Sequence, residues 1–290
     1  MKDNASILAL YAVTPCHAGS GSSTGVVDLP IQRERHTRWP LIQASGVKGA
    51  LRAHFDHFKG SIKEKPQEET FGQITELVFG ADTQNGDHAG SLSIGDAKIL
   101  AFPMRSNIAP FVWITCPALL KRLNRDLALI GEQEIDLQPL ANLGDAAARW
   151  ITGQNADASV LLEDMEVQAK GSFSLGAGKG AQLFARAERL LVVSDMVFDY
   201  GVNNCTQVMA QIKIDQKSGT TQDGSLRYQE ELPADTLMYT VIFWGDFRDE
   251  KSSLKQEAIR GYIEKEVVTG HLQIGGDETL GCGIFALEWL

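Results

Sequence analysis

Two apolar runs frame the chain. Ile7 to Val13 is closed by Thr14-Pro15, and Ile284 to Trp289 lies at the other end. Short apolar runs bounded by breakers predict buried strands. After the first comes a loop of small residues, His17 to Gly25, and an extended piece through Pro30 and Ile31. A helix is predicted from Ser45, which can cap it. Val47, Ala50, Leu51, Phe55 and Phe58 line one face of that helix, and Lys48 and Arg52, four apart, share another. Residues 59–90 are polar and broken by glycine, the pattern of a surface insertion. Ser91 to Phe102 and Phe111 to Cys116 predict strands. Ala118 to Ile130 predicts a helix after Pro117, a residue suited to a helix start.

Residues 131–160 read as irregular, Val160 to Val167 as a strand, 171–180 as a flexible loop and Gln182 to Leu191 as a short helix. Val208, Ala210, Ile212 and Ile214 alternate with polar residues, and Leu226 and Tyr228 do so again beyond the polar turn Lys217–Gly224. That alternation predicts a projecting β-hairpin with a long loop. Leu237 to Trp244 predicts a strand, Leu254 to Val267 an amphipathic helix, and His271 to Ile274 a short strand. A glycine loop, Gly275 to Gly283, leads into the last strand.

Strand, helix, strands at the start and strand, helix, strand at the end predict an α+β fold. The fitting body is a ferredoxin-like βαββαβ palm, the architecture of RNA-recognition (RRM-like) modules. One domain would span residues 1–290, with insertions at about 59–90 and 131–200 and a hairpin at about 205–232. Its 290 residues, 43% hydrophobic, suffice for a large core.

Composition complicates the functional picture. Net charge is −10, which taken alone argues against a nucleic-acid binder. The charge is unevenly spread, however. From Asp28 to Lys65, eight Lys and Arg stand against four Asp and Glu, leaving +4 inside an acidic chain. The ordinary alternative is a solvated basic face. Four cysteines, Cys16, Cys116, Cys205 and Cys282, lack metal-ligand spacing and read as buried thiols of a cytoplasmic protein. No run approaches a membrane span of about 20 apolar residues, so no membrane partner is expected.

Candidate chemistry is sparse. Gly19, Gly21 and Gly25 do not make a dinucleotide fingerprint, and Gly176, Gly178 and Gly180 with Lys179 do not make a Walker loop. Gly275–Gly283 permits close backbone approach, either to a phosphate chain or merely within a tight connection. A lone loop Asp such as Asp28 is usually a turn or cap residue. Its company points elsewhere: His17 and several hydroxyls precede it, Arg33 and Arg35 follow, and Lys48 and Arg52 come next. A carboxylate among cations suits phosphodiester chemistry, where cations hold phosphate and the carboxylate handles a proton or a metal. His17, beside Cys16, has three open roles: metal ligand, acid, or hydrogen-bonding contact.

Three blocks carry a specific likeness: Thr14-Pro-Cys-His-Ala-Gly-Ser-Gly21, Val27-Asp-Leu-Pro-Ile-Gln-Arg-Glu-Arg-His36 and Ser45-Gly-Val-Lys-Gly-Ala-Leu-Arg52. Together they resemble the amino-terminal signature of the RAMP superfamily. Within it the chain looks most like the backbone-subunit family, the fourth named, of the type III-B CRISPR effector, the Cmr complex. Gly95–Ser106, Leu226–Pro233 and the Gly281-Cys-Gly283 loop agree, so the likeness runs through most of the chain. The departures are mild: Cys16 where the family often has a hydrophobic residue, and Ala44-Ser-Gly-Val-Lys48 for a Gly-Ser-Ser-Leu-Lys-like run.

The resemblance implies an RNA-guided endoribonuclease subunit of antiviral defence. Copies of the chain would stack as a helical filament on CRISPR guide RNA, together with other Cmr subunits. The hairpin would act as a thumb that displaces target bases, and complementary target RNA would be cut at regular intervals. Asp28 would be the catalytic residue, as general base or as holder of a divalent metal, Mg²⁺ or Mn²⁺. His17, Ser20, Arg33, Arg35, Lys48, Arg52, Tyr228, Gly276, Gly281 and Gly283 would contact RNA. The site would be complete only with guide, target and a neighbouring thumb present. Two alternatives stand beside it. One is a guide-RNA scaffold of the same family without cleavage. The other is an unrelated cytosolic enzyme on a ferredoxin-like fold that binds a small acidic ligand.

Overall fold

The computed structural model describes residues 4–58, 71–81, 89–153, 157–246 and 256–290. Strand β1 (Ala5–Ala12) is buried along almost its whole length. Leu8, Leu10 and Ala12 pack into one core, and Ala5 and Ile7 into another on the opposite face. A strand covered on both faces must be apolar throughout, so its sequence is a run rather than an alternation.

After β2 (Leu41–Ile42) comes helix α1 (Ala44–His57), which buries Val47, Leu51 and Phe55 as its periodicity requires. Its start differs from expectation. Ser45 lies inside the first turn, the N-cap position is Gln43, and the Ala44 N–H donates to the Asp96 carboxylate at 2.8 Å. Helix α2 (Phe71–Phe79) lies within the stretch expected to be a surface insertion. Ile74, Leu77 and Val78, at i, i+3 and i+4, are buried, and the rings of Phe55 and Phe79 meet edge to face at 5.8 Å. The polar sequence on either side hides this one apolar face. The rest of that insertion, 59–70 and 82–88, lies outside the described residues, and so does Leu254.

The expected strand Ser91–Phe102 is two strands, β3 (Leu92–Ile94) and β4 (Ala97–Arg105), separated at Gly95-Asp96. Strand β5 (Phe111–Thr115) leads into α3 (Pro117–Ile130), which has proline in its first turn and left-handed Gly131 after its last.

The middle of the chain departs most. Strand β6 (Ala147–Trp150) lies in the stretch expected to be irregular. Where one strand was expected, β7 (Ala158–Leu162) and β8 (Met165–Ser172) form a hairpin that turns at left-handed Glu163. The helix expected at Gln182–Leu191 is only a single turn, α4 (Lys179–Gln182), and its last residues enter strand β9 (Leu190–Val193). All four residues of β9 are buried, and such a short apolar run has no period to separate strand from helix. Helix α5 (Asp195–Asn204) was not anticipated; Ser194 caps it by accepting from the Val197 N–H.

Strands β10 (Gln207–Gln211) and β11 (Arg227–Glu231) pair antiparallel, as expected for the hairpin. Strand β12 (Leu237–Trp244) follows, then α6 (Gln256–Tyr262), which widens into a π-turn over Ile263–Val267. Strands β13 (His271–Gln273) and β14 (Ile284–Trp289) close the chain.

The main sheet runs β13-β14-β1-β12-β4-β5-β9-β6-β8-β7, with β2 attached to β4 and β3 to β12. Most of its pairs are antiparallel; β5–β9 and β6–β8 are parallel. The β10–β11 hairpin is a separate two-stranded sheet. The fold is therefore α+β on one large mixed sheet. One core lies under α1, α2 and α6, a second under α3, and a third joins α5 to β6–β9.

Phe55, fully buried between α1, α2 and Tyr262, tests the first core. Phe55→Ala should lower unfolding stability by about 3–5 kcal/mol, read by urea denaturation.

Candidate active site

The loop from Thr14 to Arg33 has little secondary structure of its own. It is held by edges on either side. Cys16 pairs with Leu232 in both directions, at 2.9 and 2.8 Å, and Leu29 forms a parallel bridge with Gln229. On the other side the Gly276 N–H donates to the His17 carbonyl at 2.9 Å, and the Gly283 N–H to that of Pro15 at 2.8 Å. Gly283 (φ +78°) admits no side chain, since a Cβ there would lie 2.1 Å from the Ile274 carbonyl oxygen.

Glu230 is the hub. It is 7% exposed. Its carboxylate accepts from the Ile31 N–H at 3.0 Å, Thr206 Oγ1 at 2.7 Å and Arg33 Nη2 at 2.5 Å. Its backbone accepts from His17 Nδ1 at 2.7 Å and donates to the Leu29 carbonyl at 2.9 Å. Burial would raise the carboxyl's pKa; the Arg33, Thr206 and Ile31 donors outweigh it and hold it below the ordinary value. The carbonyl partner also settles the neutral tautomer of His17. A carbonyl only accepts, so Nδ1 carries the proton and Nε2 keeps a lone pair.

Asp28 stands where this loop meets β11. Its Oδ2 accepts from the Tyr228 N–H at 2.7 Å, and the Leu29 N–H donates to the Tyr228 carbonyl at 3.0 Å. Oδ1 has no hydrogen-bond partner among the described residues, and the side chain is half-exposed. Val26, just before it, is 94% exposed. The tether reaches backbone, so it does not depend on the Tyr228 side chain, which is itself exposed.

The structure thus brings Asp28, His17, Ser20, Tyr228, Gly276 and Gly283 around one loop framework. Exposed Ser20 donates to the Pro30 carbonyl at 3.2 Å. Gly281 ends the 278–280 turn beside Leu280, which is 68% exposed. The cations divide. Arg33 lies inside the fold: its side chain is 11% exposed and donates to Glu230 and to the carbonyls of Val202 and Arg38 at 2.9 and 2.8 Å. Arg35 is exposed with no partner among the described residues. Lys48 and Arg52 lie half-buried on α1, donating to the carbonyls of Leu92 and Gly80 at 3.1 and 3.0 Å. Burial, then the neighbouring Arg52 charge, lowers the Lys48 pKa. The Gln32 side chain links this helix to the loop: it accepts from the Gln43 N–H at 2.8 Å and donates to the Gly19 carbonyl at 3.1 Å.

Among the described residues no three His, Cys, Asp or Glu side chains converge on a metal-sized site. Cys16 does not offer a thiolate. Burial pushes its thiol up to about 12, and it donates to the Ile274 carbonyl. Asp28, with one open oxygen, could hold a hard cation only jointly with water and phosphate oxygens, the usual arrangement for Mg²⁺.

The sequence did not single out Glu230, Thr206, Glu231 or Asp277. Asp277, left-handed, accepts from Gln229 Nε2, tying the glycine loop to β11. Glu231 is buried beside it, and burial followed by the Asp277 charge raises its pKa despite Gln229 and His17. One signal was present: two adjacent carboxylates, Glu230-Glu231, on one strand, where at least one side chain must point inward.

The RAMP superfamily model matches residues 9–286. The chain belongs to the RAMP superfamily. A CRISPR system Cmr endoribonuclease, Cmr4 of Pyrococcus furiosus, is 36% identical and covers 96% of this RAMP chain and 92% of its own length. The crystal structure of oligomeric Cmr4 from Pyrococcus furiosus superposes with a TM-score of 0.70 at 26% identity in the superposition, covering 99% and 97% of the two chains. The type III-B Cmr-beta complex bound to cognate target RNA contains a chain that superposes with a TM-score of 0.75 at 25% identity, covering 98% and 96%.

The buried Glu230–Arg33 pair makes this framework pH-sensitive. Glu230→Ala should cost about 3 kcal/mol at neutral pH, because Arg33 is left without its counter-charge. A lowered carboxyl pKa stabilises the fold above the ordinary value of 4.5, and this is lost as pH falls through the lower folded value. The gap between parent and variant, measured by urea denaturation, should therefore shrink below pH 4.5.

Proposed function

We propose that this chain is the guide-RNA-binding backbone subunit of a type III-B CRISPR effector and that it cleaves complementary target RNA. Full-length kinship to a Cmr endoribonuclease supports the assignment. The observation that carries the catalytic part is the half-exposed Asp28 carboxylate, tethered through one oxygen to the base of the hairpin. The strand order β14, β1, β12, β4 supports reading the first half of the sheet as a ferredoxin-like palm. The separate β10–β11 sheet supports reading the hairpin as its thumb.

The chemistry follows from RNA itself: the 2′-OH loses its proton and attacks the adjacent phosphorus, the P–O5′ bond breaks, and the leaving 5′-oxygen takes a proton from water, giving a 2′,3′-cyclic phosphate and a 5′-OH. A target nucleotide displaced beside the hairpin leaves its backbone free to reach in-line geometry, and such positioning supplies much of the acceleration. Asp28 Oδ1 faces that position as proton acceptor. Where Mg²⁺ or Mn²⁺ binds, Asp28 would be the carboxylate among the described residues that holds it, and the cation would stabilise charge on the phosphate. Arg35 on the loop and Lys48 and Arg52 on α1 supply the positive surface for guide phosphates. Ser20, His17 and the Gly276 to Gly283 loop let the backbone approach. Arg33 acts one step back, by bracing Glu230. Guide and target base pairing supplies sequence specificity.

Two measurements check this. In a complex reconstituted with guide RNA, Asp28→Ala should abolish regularly spaced cuts while matched RNA still binds, and EDTA should suppress the parent's cutting. Normal cutting by Asp28→Ala would overturn the catalytic assignment of that residue. Separately, Lys48→Ala with Arg52→Ala should weaken guide binding and flatten its log–log salt slope by about 1–2, since each phosphate contact on a single strand contributes about 0.7.

A further inference from the structure

A groove lies away from the Asp28 loop, between the starts of α3 and α5, with a volume of about 670 Å³. Its floor is apolar. Ile135 and Leu140 are buried, Leu137 and Leu143 half-buried, and Met196 is 53% exposed. Its rim is acidic: Glu134, Asp136, Asp145 and Asp195 face a single cation, Lys121. Two of these acids have work inside the fold. Asp195 accepts from the Ala118 N–H at 2.9 Å and Asp136 from that of Gln138 at 3.0 Å. The Glu134 and Asp145 carboxylates have no hydrogen bond or ion pair among the described residues. A second cavity of about 320 Å³ shares the 134–136 wall and continues past the Gly176–Gly180 loop.

We infer that this groove docks a Lys- or Arg-rich segment of a non-identical protein subunit, which seats one apolar side chain on the floor and its cations on the rim. This rests on reading the chain as one subunit of a multi-protein effector. Charge complementarity selects the occupant. Four carboxylates against one ammonium repel a phosphate backbone, so this face does not hold RNA. An apolar floor with an exposed methionine suits an aliphatic anchor, which a small polyamine lacks. A second copy of the chain is a poor fit. Among the described residues its exposed cations include Arg35 on the loop and Lys213, Lys217 and Arg227 on the hairpin, segments that the proposed function places against RNA; others, such as Arg105 on Glu163 and Lys265 between Glu264 and Glu266, do not form a basic run.

The test uses the whole complex, assembled from purified subunits and guide RNA and read by native mass spectrometry across a salt series. The variant is Glu134→Lys with Asp145→Lys, which breaks no internal contact. One non-identical protein subunit should dissociate at least about tenfold more readily, because new like charges at an interface cost several kcal/mol. Filament length, guide RNA and thermal stability should match the parent. Retention of every subunit at parental affinity overturns the inference. A shortened filament or loss of guide also overturns it, since the occupant is then a second copy or RNA. If the parent chain itself fails to assemble on guide RNA, the functional reading falls and this inference with it, a pattern distinct from the others. As a second arm, a photocrosslinking phenylalanine analogue in place of Met196 should label a basic segment of that same subunit. Labelling of another copy or of RNA overturns the assignment.

Discussion

The loop that carries Asp28 has one anchor that nothing else can replace, the buried carboxylate of Glu230. Three donors converge on it from separate parts of the chain: Arg33 and Ile31 from the loop, and Thr206 from the entry to the hairpin. A buried carboxylate without donors would take up a proton rather than stay charged. With them it remains ionised and becomes a fixed point of negative charge around which an otherwise irregular segment is ordered. The arrangement is reciprocal. Arg33 can be buried only because Glu230 is there, and Glu230 can be charged only because Arg33 is.

That anchor ties the hairpin to the loop. Glu230 belongs to β11, and so does Tyr228, whose backbone holds Asp28. The hairpin and the Asp28 carboxylate therefore share one strand, and a shift of the hairpin base carries the carboxylate with it. The glycine loop is joined to the same strand through Asp277 and Gln229, and to the Asp28 loop through His17 and Gly276. Three segments far apart in sequence meet on β11. None has a core of its own: Cys16, Ala18, Ile31, Leu232 and Ile274 anchor them in the main core, and polar contacts, which tolerate no unpaired partner when buried, fix the rest of their geometry.

The ends of the chain were legible because their physics is local. β12 and β14 are bounded as their apolar runs suggest, and α1 shows its face through Val47, Leu51 and Phe55. The Asp28 loop was legible as a segment through its Asp-Leu-Pro-Ile-Gln-Arg-Glu block, which carries the family resemblance. The middle was not. Strand β9 and helix α5 follow one another directly, and Leu-Leu-Val-Val reads equally well as the end of a helix. Glu230 escaped notice for a different reason. Its role exists only once Arg33 and Thr206, 197 and 24 residues away, are brought beside it. Arg33 illustrates the converse: as a sequence position it looks like a phosphate ligand, and folding turns it inward.

The same sorting of charge explains how a chain of net charge −10 can present a basic face. Several acids are neutralised internally. Glu34, counted against the basic segment, pairs with Arg122, and that donor together with Thr37 overcomes burial and lowers its pKa. Asp126 is held by Lys98 at 2.7 Å and by Tyr239. Others gather on the rim between α3 and α5, on a different element of the fold from α1 and the Asp28 loop. Screening at physiological salt acts over about 8 Å, so acids beyond that distance do little to weaken a phosphate contact on the basic face. Net charge then governs solubility and long-range approach, while the local field at the proposed phosphate surface of Arg35, Lys48 and Arg52 would govern what is held there. An acidic total and an RNA-binding surface are compatible once the fold keeps the two apart.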